Sequence, residues 1–218
     1  DPASTVYVRN KHKACLEVGI TSYQIELPEA TTEEELLSKI DELNADDAIH
    51  GILVQLPLPK GFDENAALAA IVPEKDVDGI TRGSMASIYS GKGAGFAPCT
   101  AESCIEILKY NGIEMSGKRA VVIGRSLVIG KPVAMLLMAN NATVTVCHSR
   151  TKDMPNVVKE ADIVIACLGR AEMINKDYFA PGQVVLDVGI NWSEEKNKLV
   201  GDVAFDEVEP IVDAITPV

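Results

Sequence analysis

Apolar residues follow two spacings along this chain. Helical spacing dominates the first hundred residues, and short β-branched runs alternate with helical stretches from Arg119 onward. A helical pattern from about Ser4 to Val18 stops at Gly19, a residue suited to the position just past a helix end. Tyr23, Ile25 and Leu27 then alternate as a short strand. Thr31-Thr32-Glu33-Glu34-Glu35 offers a capping box in either of two registers, Thr31 with Glu34 or Thr32 with Glu35. Leu36, Leu37, Ile40 and Leu43 mark the apolar face of the helix that follows. Gly51 to Leu56 is a nearly continuous apolar run, as in a parallel strand buried on both faces, and Pro57 and Pro59 end it. Asp63 to Ile71 reads as another short helix. Strand, helix, strand, helix in this order implies right-handed βαβ crossovers.

The stretch from Gly79 to Pro98 reads as loop, and a helix is predicted from Thr100 to about Asn111. Strands are predicted over Ala120–Ile123, Thr143–Cys147, Ile163–Ala166 and Val184–Val188, with a helix starting near Gly130. This is the pattern of a doubly wound domain. The expected fold class is therefore α/β, with two α/β domains, residues 1–99 and 100–218. The second is a Rossmann-like doubly wound parallel sheet.

Charge narrows the partners. The 218 residues carry a formal net charge of −12, which disfavours nucleic acid and anionic membranes. An anionic ligand must be held by local cations. No apolar run approaches the roughly 18 residues that a membrane helix needs. Five cysteines, an odd number without metal-binding spacing, read as reduced thiols, and no metal site is expected.

The segment Val121 to Pro132 has the layout of a strand, a phosphate loop and a helix start. Exposed N–H groups at such a helix start attract a diphosphate. The loop is G-x-S-x-x-x-G, with Gly124, Ser126 and Gly130, and departs from the usual G-x-G-x-x-G. The next strand ends in His148-Ser149-Arg150-Thr151, where an NAD site usually places an acid for the ribose hydroxyls. A hydroxyl at Ser149 and guanidinium groups at Arg150 and Arg125 favour NADP, because Arg binds phosphate through paired donors. In the first helix Tyr7 and Lys11 share one face, although Tyr and Lys on an exposed face are commonplace. Gln55 interrupts an apolar run, so it either points into a crevice at a sheet end or satisfies nearby loop backbone. Asp76 and Asp78 precede Gly79, a common arrangement for a plain Asx-turn.

Taken in order, these motifs are Tyr7-x-x-x-Lys11, Gly51–Pro59, Pro73-Glu-Lys-Asp-Val-Asp-Gly79, Pro98-Cys-Thr100, Val122-Ile-Gly-Arg-Ser126 with Gly130-Lys-Pro132, Cys147-His-Ser-Arg-Thr151, Asp187-Val-Gly-Ile-Asn191 and Val200-Gly-Asp-Val203. The chain resembles, over essentially its whole length, the bifunctional methylenetetrahydrofolate dehydrogenase/methenyltetrahydrofolate cyclohydrolase family. The resemblance implies two domains with a cleft between them, a folate-binding catalytic domain and an NADP-binding one. It implies oxidation of methylenetetrahydrofolate with NADP, then hydrolysis to formyltetrahydrofolate, in one-carbon metabolism and purine biosynthesis. Lys11 matches the family's catalytic lysine, Tyr7 the tyrosine lining the folate site, and Gln55 the glutamine that hydrogen-bonds the lysine. Asp78 matches the aspartate that holds the pterin, while Asp76 is left to the turn. Thr100 matches a threonine at the cofactor edge of the cleft. Arg125 and Ser149 match contacts to the cofactor's extra phosphate, and Gly124, Ser126, Gly130, Arg150 and Ile190 complete the expected cofactor contacts.

A lysine amine, ordinarily protonated at neutral pH, serves as a base where a nearby cationic intermediate disfavours the ammonium. A neutral amide partner aims it without opposing that effect. Ala101 departs from the family, which commonly has proline there, and Thr81–Gly91 lacks an asparagine often seen. Both ends of the chain read as cut, with the first strand and a returning C-terminal helix of the catalytic domain expected outside it. By family analogy the protein is expected to be a cytoplasmic homodimer acting on tetrahydrofolate derivatives. A monofunctional or NAD-dependent dehydrogenase, another small-substrate dehydrogenase, and a folate- or nucleotide-binding module without turnover are the competing readings.

Overall fold

The computed structural model describes residues 2–218, with side chains described for Thr5 and residues 7–218. Two compact units emerge. The first runs to Gly83 and includes Ala94–Phe96, and the second holds Ser84–Gly93 and Ala97–Val218.

The first unit is built on helices α1 (Pro2–Glu17), α2 (Glu33–Ala45) and α3 (Glu64–Ala70). α1 ends where Gly19 turns to φ +79°, so that the Ile20 N–H reaches back to the Cys15 carbonyl at 2.8 Å. Of the two capping registers, the chain uses Thr32 with Glu35. The Glu35 N–H donates to the Thr32 hydroxyl and the Thr32 N–H to the Glu35 carboxylate. Asp63 caps α3 by accepting from the Asn65 and Ala66 N–H groups. Leu36, Ile40, Ile52, Ala67 and Ile71 form the buried core. Lys75 stoppers the end of α2, its ammonium donating to the carbonyls of Leu43, Asn44 and Asp46 at 3.0, 2.7 and 2.8 Å.

Both strands expected in this unit are reduced. Tyr23, Ile25 and Leu27 are exposed, and no ladder forms there among the described residues. Gly51–Leu56 makes one parallel bridge, Ile52 with Asp76, supported by the Ile52 N–H donating to the Lys75 carbonyl at 2.7 Å. An alternating or apolar run becomes a strand only when a neighbouring chain completes its hydrogen bonds. The stretch expected to be loop contains a helix, α4 (Arg82–Ser90). Its glycines punctuate more than they fill: Gly79 and Gly91 take positive φ just outside the helix.

The second unit is a five-stranded parallel sheet. α5 (Cys99–Tyr110) leads into β1 (Arg119–Ile123), α6 (Gly130–Ala139), β2 (Thr143–Cys147), α7 (Met154–Lys159), β3 (Ile163–Ala166) and β4 (Val184–Asp187). A short antiparallel hairpin, β5 (Asn191–Ser193) with β6 (Lys198–Val200), precedes α8 (Phe205–Val208) and β7 (Ala214–Ile215). The strand order is β2-β1-β3-β4-β7. Alternate strand residues serve opposite faces. Ala120, Val122, Ile163 and Ile165 pack with α5 and α6, while Val121, Ile123, Val164 and Ala166 pack with α7 and α8. A run of consecutive apolar residues is what a sheet covered on both sides requires.

Gln183, only 1% exposed, stitches the edge of this sheet. Its amide donates to the carbonyls of Val158 and Ala161 at 2.7 and 2.8 Å, and its oxygen accepts from the Ala180 N–H at 2.8 Å. Gln183→Leu leaves the Ala161 carbonyl and the Ala180 N–H without partners, while the Val158 carbonyl keeps the Ala161 N–H, a cost of about 2 kcal/mol. Thermal unfolding should shift down by roughly 4–8 °C; a fall of less than about 1 °C would contradict this role.

Candidate functional site

The β2-β1-β3-β4-β7 strand order places its switch point between β1 and β3, and ligands of such sheets bind beyond the strands' carboxyl ends at that point. Two glycines shape the crevice. Gly124, at φ +138°, follows β1, and a Cβ there would lie 2.6 Å from the Cys167 sulfur and closer still to the Cys167 carbonyl. Gly130 opens α6, and a Cβ there would lie 2.6 Å from the Gly124 carbonyl carbon and 2.8 Å from the Arg125 nitrogen. Any side chain at either position would force apart β3, the loop and the helix.

Ser126 holds the loop closed. Its hydroxyl accepts from the N–H groups of Ile129 and Gly130 at 3.1 and 3.3 Å, and its carbonyl accepts from the Lys131 N–H at 3.0 Å. This corrects the expectation of open N–H groups at the helix start, since those amides are used internally. Open N–H groups lie instead at the loop tip, where Leu127 and Val128 donate to nothing among the described residues. The Ser126 hydroxyl accepts twice and keeps its own proton to donate.

The cations expected to read the cofactor's ribose lie on register-matched strand ends. Ile123 pairs with Cys147, and the Gly124 N–H donates to the Cys147 carbonyl at 2.9 Å. Arg125 and Ser149 therefore each lie two residues beyond a paired position, and both are exposed. The turn carrying Ser149 and Arg150 is fixed by the His148 N–H on the Thr151 hydroxyl (2.9 Å) and the Arg150 N–H on His148 Nδ1 (3.2 Å). No acid stands there. Ile190 is exposed just past β4, and Thr100 is exposed in the first turn of α5.

The expected folate residues fall in the first unit. Tyr7 and Lys11 lie one turn apart on α1, with the Lys11 Nζ 4.4 Å from the centre of the Tyr7 ring, a cation–π distance. Gln55 satisfies nearby loop backbone with one of its two polar groups. Its amide nitrogen donates to the Leu56 carbonyl at 2.8 Å, while its oxygen is buried with no hydrogen-bond partner. The expected Lys11–Gln55 hydrogen bond is therefore not formed. His12 Nδ1, which sequence reasoning passed over, is likewise buried and unpartnered. Asp76 is buried and folds the turn, its carboxylate accepting from the N–H groups of Gly79 (3.0 Å) and Thr81 (2.8 Å). Asp78 is half-buried and makes no hydrogen bond among the described residues. Gln55 and Asp78 run on in the same direction from the Ile52–Asp76 bridge.

The model of the tetrahydrofolate dehydrogenase/cyclohydrolase catalytic domain matches residues 1–78, and that of the NAD(P)-binding domain matches residues 98–218. The chain belongs to the tetrahydrofolate dehydrogenase/cyclohydrolase family. A bifunctional FolD protein of Listeria innocua is 53% identical over 99% of this chain and 75% of its own length. The crystal structure of the bifunctional FolD enzyme of Campylobacter jejuni superposes with a TM-score of 0.94 at 44% identity, covering 100% of this chain and 77% of that one. The Trypanosoma brucei enzyme, solved with NADP and an inhibitor, gives 0.88 at 38% identity, covering 100% of this chain and 76% of its own. No described helix is long and apolar enough to cross a membrane, and no group of metal-ligating side chains occurs among the described residues.

No disulfide forms among the described residues; Cys104, Cys147 and Cys167 are buried, Cys15 is half-buried and Cys99 is exposed. Burial pushes the Cys167 thiol, under the phosphate loop, up to about 12 and Cys104 up to about 11. Both stay protonated at pH 8, so they should resist iodoacetamide. Mass spectrometry should find the label on Cys99 first, with Cys104 and Cys167 modified only in denaturant. Rapid labelling of Cys167 in the folded protein would contradict the packing beneath Gly124.

Proposed function

We propose that this protein oxidises methylenetetrahydrofolate to methenyltetrahydrofolate with NADP, then hydrolyses the product to formyltetrahydrofolate. Membership of the family across both of its domains carries this reading. The cradle fits the cofactor: Gly124 and Gly130 let the end of β1, the loop and the start of α6 pack closely at the crevice, and Arg125 and Ser149 suit a ribose phosphate. Bound NADP accepts the hydride from the methylene carbon. The protein's part in that step is to orient, because hydride donor and acceptor must be held close. We assign Gly124, Ser126 and the open loop-tip amides to the diphosphate, and Arg125, Ser149 and Arg150 to the phosphate that distinguishes NADP. Ile190 and Thr100 are assigned to the rest of the cofactor.

In the first unit we assign Lys11 to proton transfer. Water adds to the methenyl carbon and loses a proton to the amine. The ring C–N bond then breaks, and the released nitrogen takes a proton back. Tyr7 presents its ring to the amine and lines the folate site. The unpartnered Gln55 oxygen supports its assignment as the acceptor that aims the amine, since a buried acceptor left unmade costs about 1–3 kcal/mol. Asp78, whose carboxylate makes no hydrogen bond among the described residues, is assigned to the amino-bearing edge of the pterin. The turn built by Asp76 holds it out for that purpose.

We further assign the protein to the cytoplasm as a homodimer. β2 is an outer strand of the sheet and carries exposed Thr143, Thr145 and Val146, which suits an edge covered by a second copy.

Lys11→Ala should abolish hydrolysis of methenyltetrahydrofolate, followed by loss of its absorbance, and leave NADP affinity unchanged. Asp78→Ala should weaken folate binding by about 1–3 kcal/mol. Hydrolysis above the uncatalysed rate in the Lys11 variant would refute its role, and unaltered folate affinity would refute that of Asp78.

A further inference from the structure

A pair of acidic side chains in the second unit makes no ion pair with any described residue. Asp187 ends β4, and Asp202 follows β6 and is fully buried. The Asp202 carboxylate accepts four hydrogen bonds. One oxygen takes the N–H groups of Leu168 (2.5 Å) and Gly169 (3.1 Å), and the other takes the Arg170 N–H (2.7 Å) and the Asn191 side-chain amide (3.0 Å). Asp187 in turn accepts from the N–H groups of Gly189 (3.1 Å), Asp202 (2.9 Å) and Val203 (2.8 Å). Burial raises the Asp187 pKa first, its backbone donors oppose that, and the neighbouring Asp202 charge adds to it.

The glycines around this pair are dictated by it. A Cβ on Gly189 would lie 2.6 Å from the Asp202 nitrogen, and one on Gly201 would lie 2.5 Å from the Asp187 carboxyl carbon. Keeping a fully buried carboxylate beside a half-buried one, neither in an ion pair among the described residues, is costly. The arrangement persists because each oxygen is filled by donors. The donors to Asp202 come from the segments that leave β3 and β4 at the carboxyl edge of the sheet, and those to Asp187 from the segments after β4 and β6. The segment after β3 continues directly from Cys167, which packs against Gly124.

We propose that Asp202 is a positioning residue for the cofactor. Its carboxylate clamps the 168–170 segment to the 189–191 segment and so fixes the wall of the crevice that faces the phosphate loop. Asp187 holds Asp202 and Val203 in place. This rests on the reading of the β1/β3 crevice as the NADP site. The role is specific to a carboxylate, because an amide offers one acceptor oxygen where four donors converge.

Asp202→Asn and, as a milder change, Asn191→Ala test the proposal, with Arg125→Ala as the reference for the site itself. NADP affinity is measured by calorimetry, and hydrolysis of methenyltetrahydrofolate is followed without NADP. Asp202→Asn should weaken NADP binding about tenfold or more and keep the hydrolysis rate within about twofold. Asn191→Ala should weaken binding in the same direction, less strongly, and it carries the test if Asp202→Asn does not fold. A purely structural role would lower both readouts together, in proportion to the folded fraction, and would overturn the proposal. Unchanged NADP affinity in both variants, with Arg125→Ala weakened, would also overturn it while sparing the site. Unchanged affinity in Arg125→Ala would remove the site reading, and the clamp would fall with it.

Discussion

The structure turns on two positions where the backbone tolerates no side chain. Gly124 and Gly130 bring the end of β1, the neighbouring end of β3 and the first turn of α6 within contact distance of one another. With a Cβ at either point, β3 and α6 could not both close on the loop. The crevice at the strand-order reversal would then lose its floor. Ser126 completes the closure by using its hydroxyl and carbonyl on the helix's first amides. The anion-binding capacity of the segment thereby moves to the loop tip and to cations on the adjoining strand end.

Charge placement follows from the same economy. A chain with a net charge of −12 must concentrate its cations to hold a phosphorylated dinucleotide. It does so at Arg125 and Arg150, on the ends of paired strands. Two acids of the same unit, Asp187 and Asp202, are turned inward and filled by backbone donors. A buried carboxylate held this way adds no exposed negative charge at the rim, and it fixes several loops at once. In the first unit an acid again does structural work: Asp76 builds the turn, and Asp78 beside it makes no hydrogen bond among the described residues.

Much of the second unit was legible in the residues. Strands β1 to β4 are short β-branched runs whose bounds follow the runs to within a residue, the edge strand β2 leaves its outer residues exposed, and the short hairpin strands β5 and β6 were not expected. The paired glycines and the missing acid after β2 point to a dinucleotide phosphate from the residues alone. The first unit was less legible. Tyr23, Ile25 and Leu27 alternate like a strand but lack a ladder partner, and Gly51–Leu56 keeps a single bridge. Pairing depends on what lies alongside, which a local pattern does not encode. Helix α4 was hidden because glycines at its borders resemble a loop. The Asp187–Asp202 pair was missed because its members are 15 residues apart. The signal present was a glycine beside each acid, Gly189 two residues after Asp187 and Gly201 next to Asp202. The orphaned oxygen of Gln55 could be anticipated only as a polar break in an apolar run.

The most direct test of this account is a crystal structure of the protein with NADP. The account places the diphosphate over the loop from Gly124 to Gly130 and the additional phosphate against Arg125 and Ser149, beyond β1 and β2. Density for the cofactor at another edge of the sheet, or a phosphate without contact to Arg125 or Ser149, would contradict it.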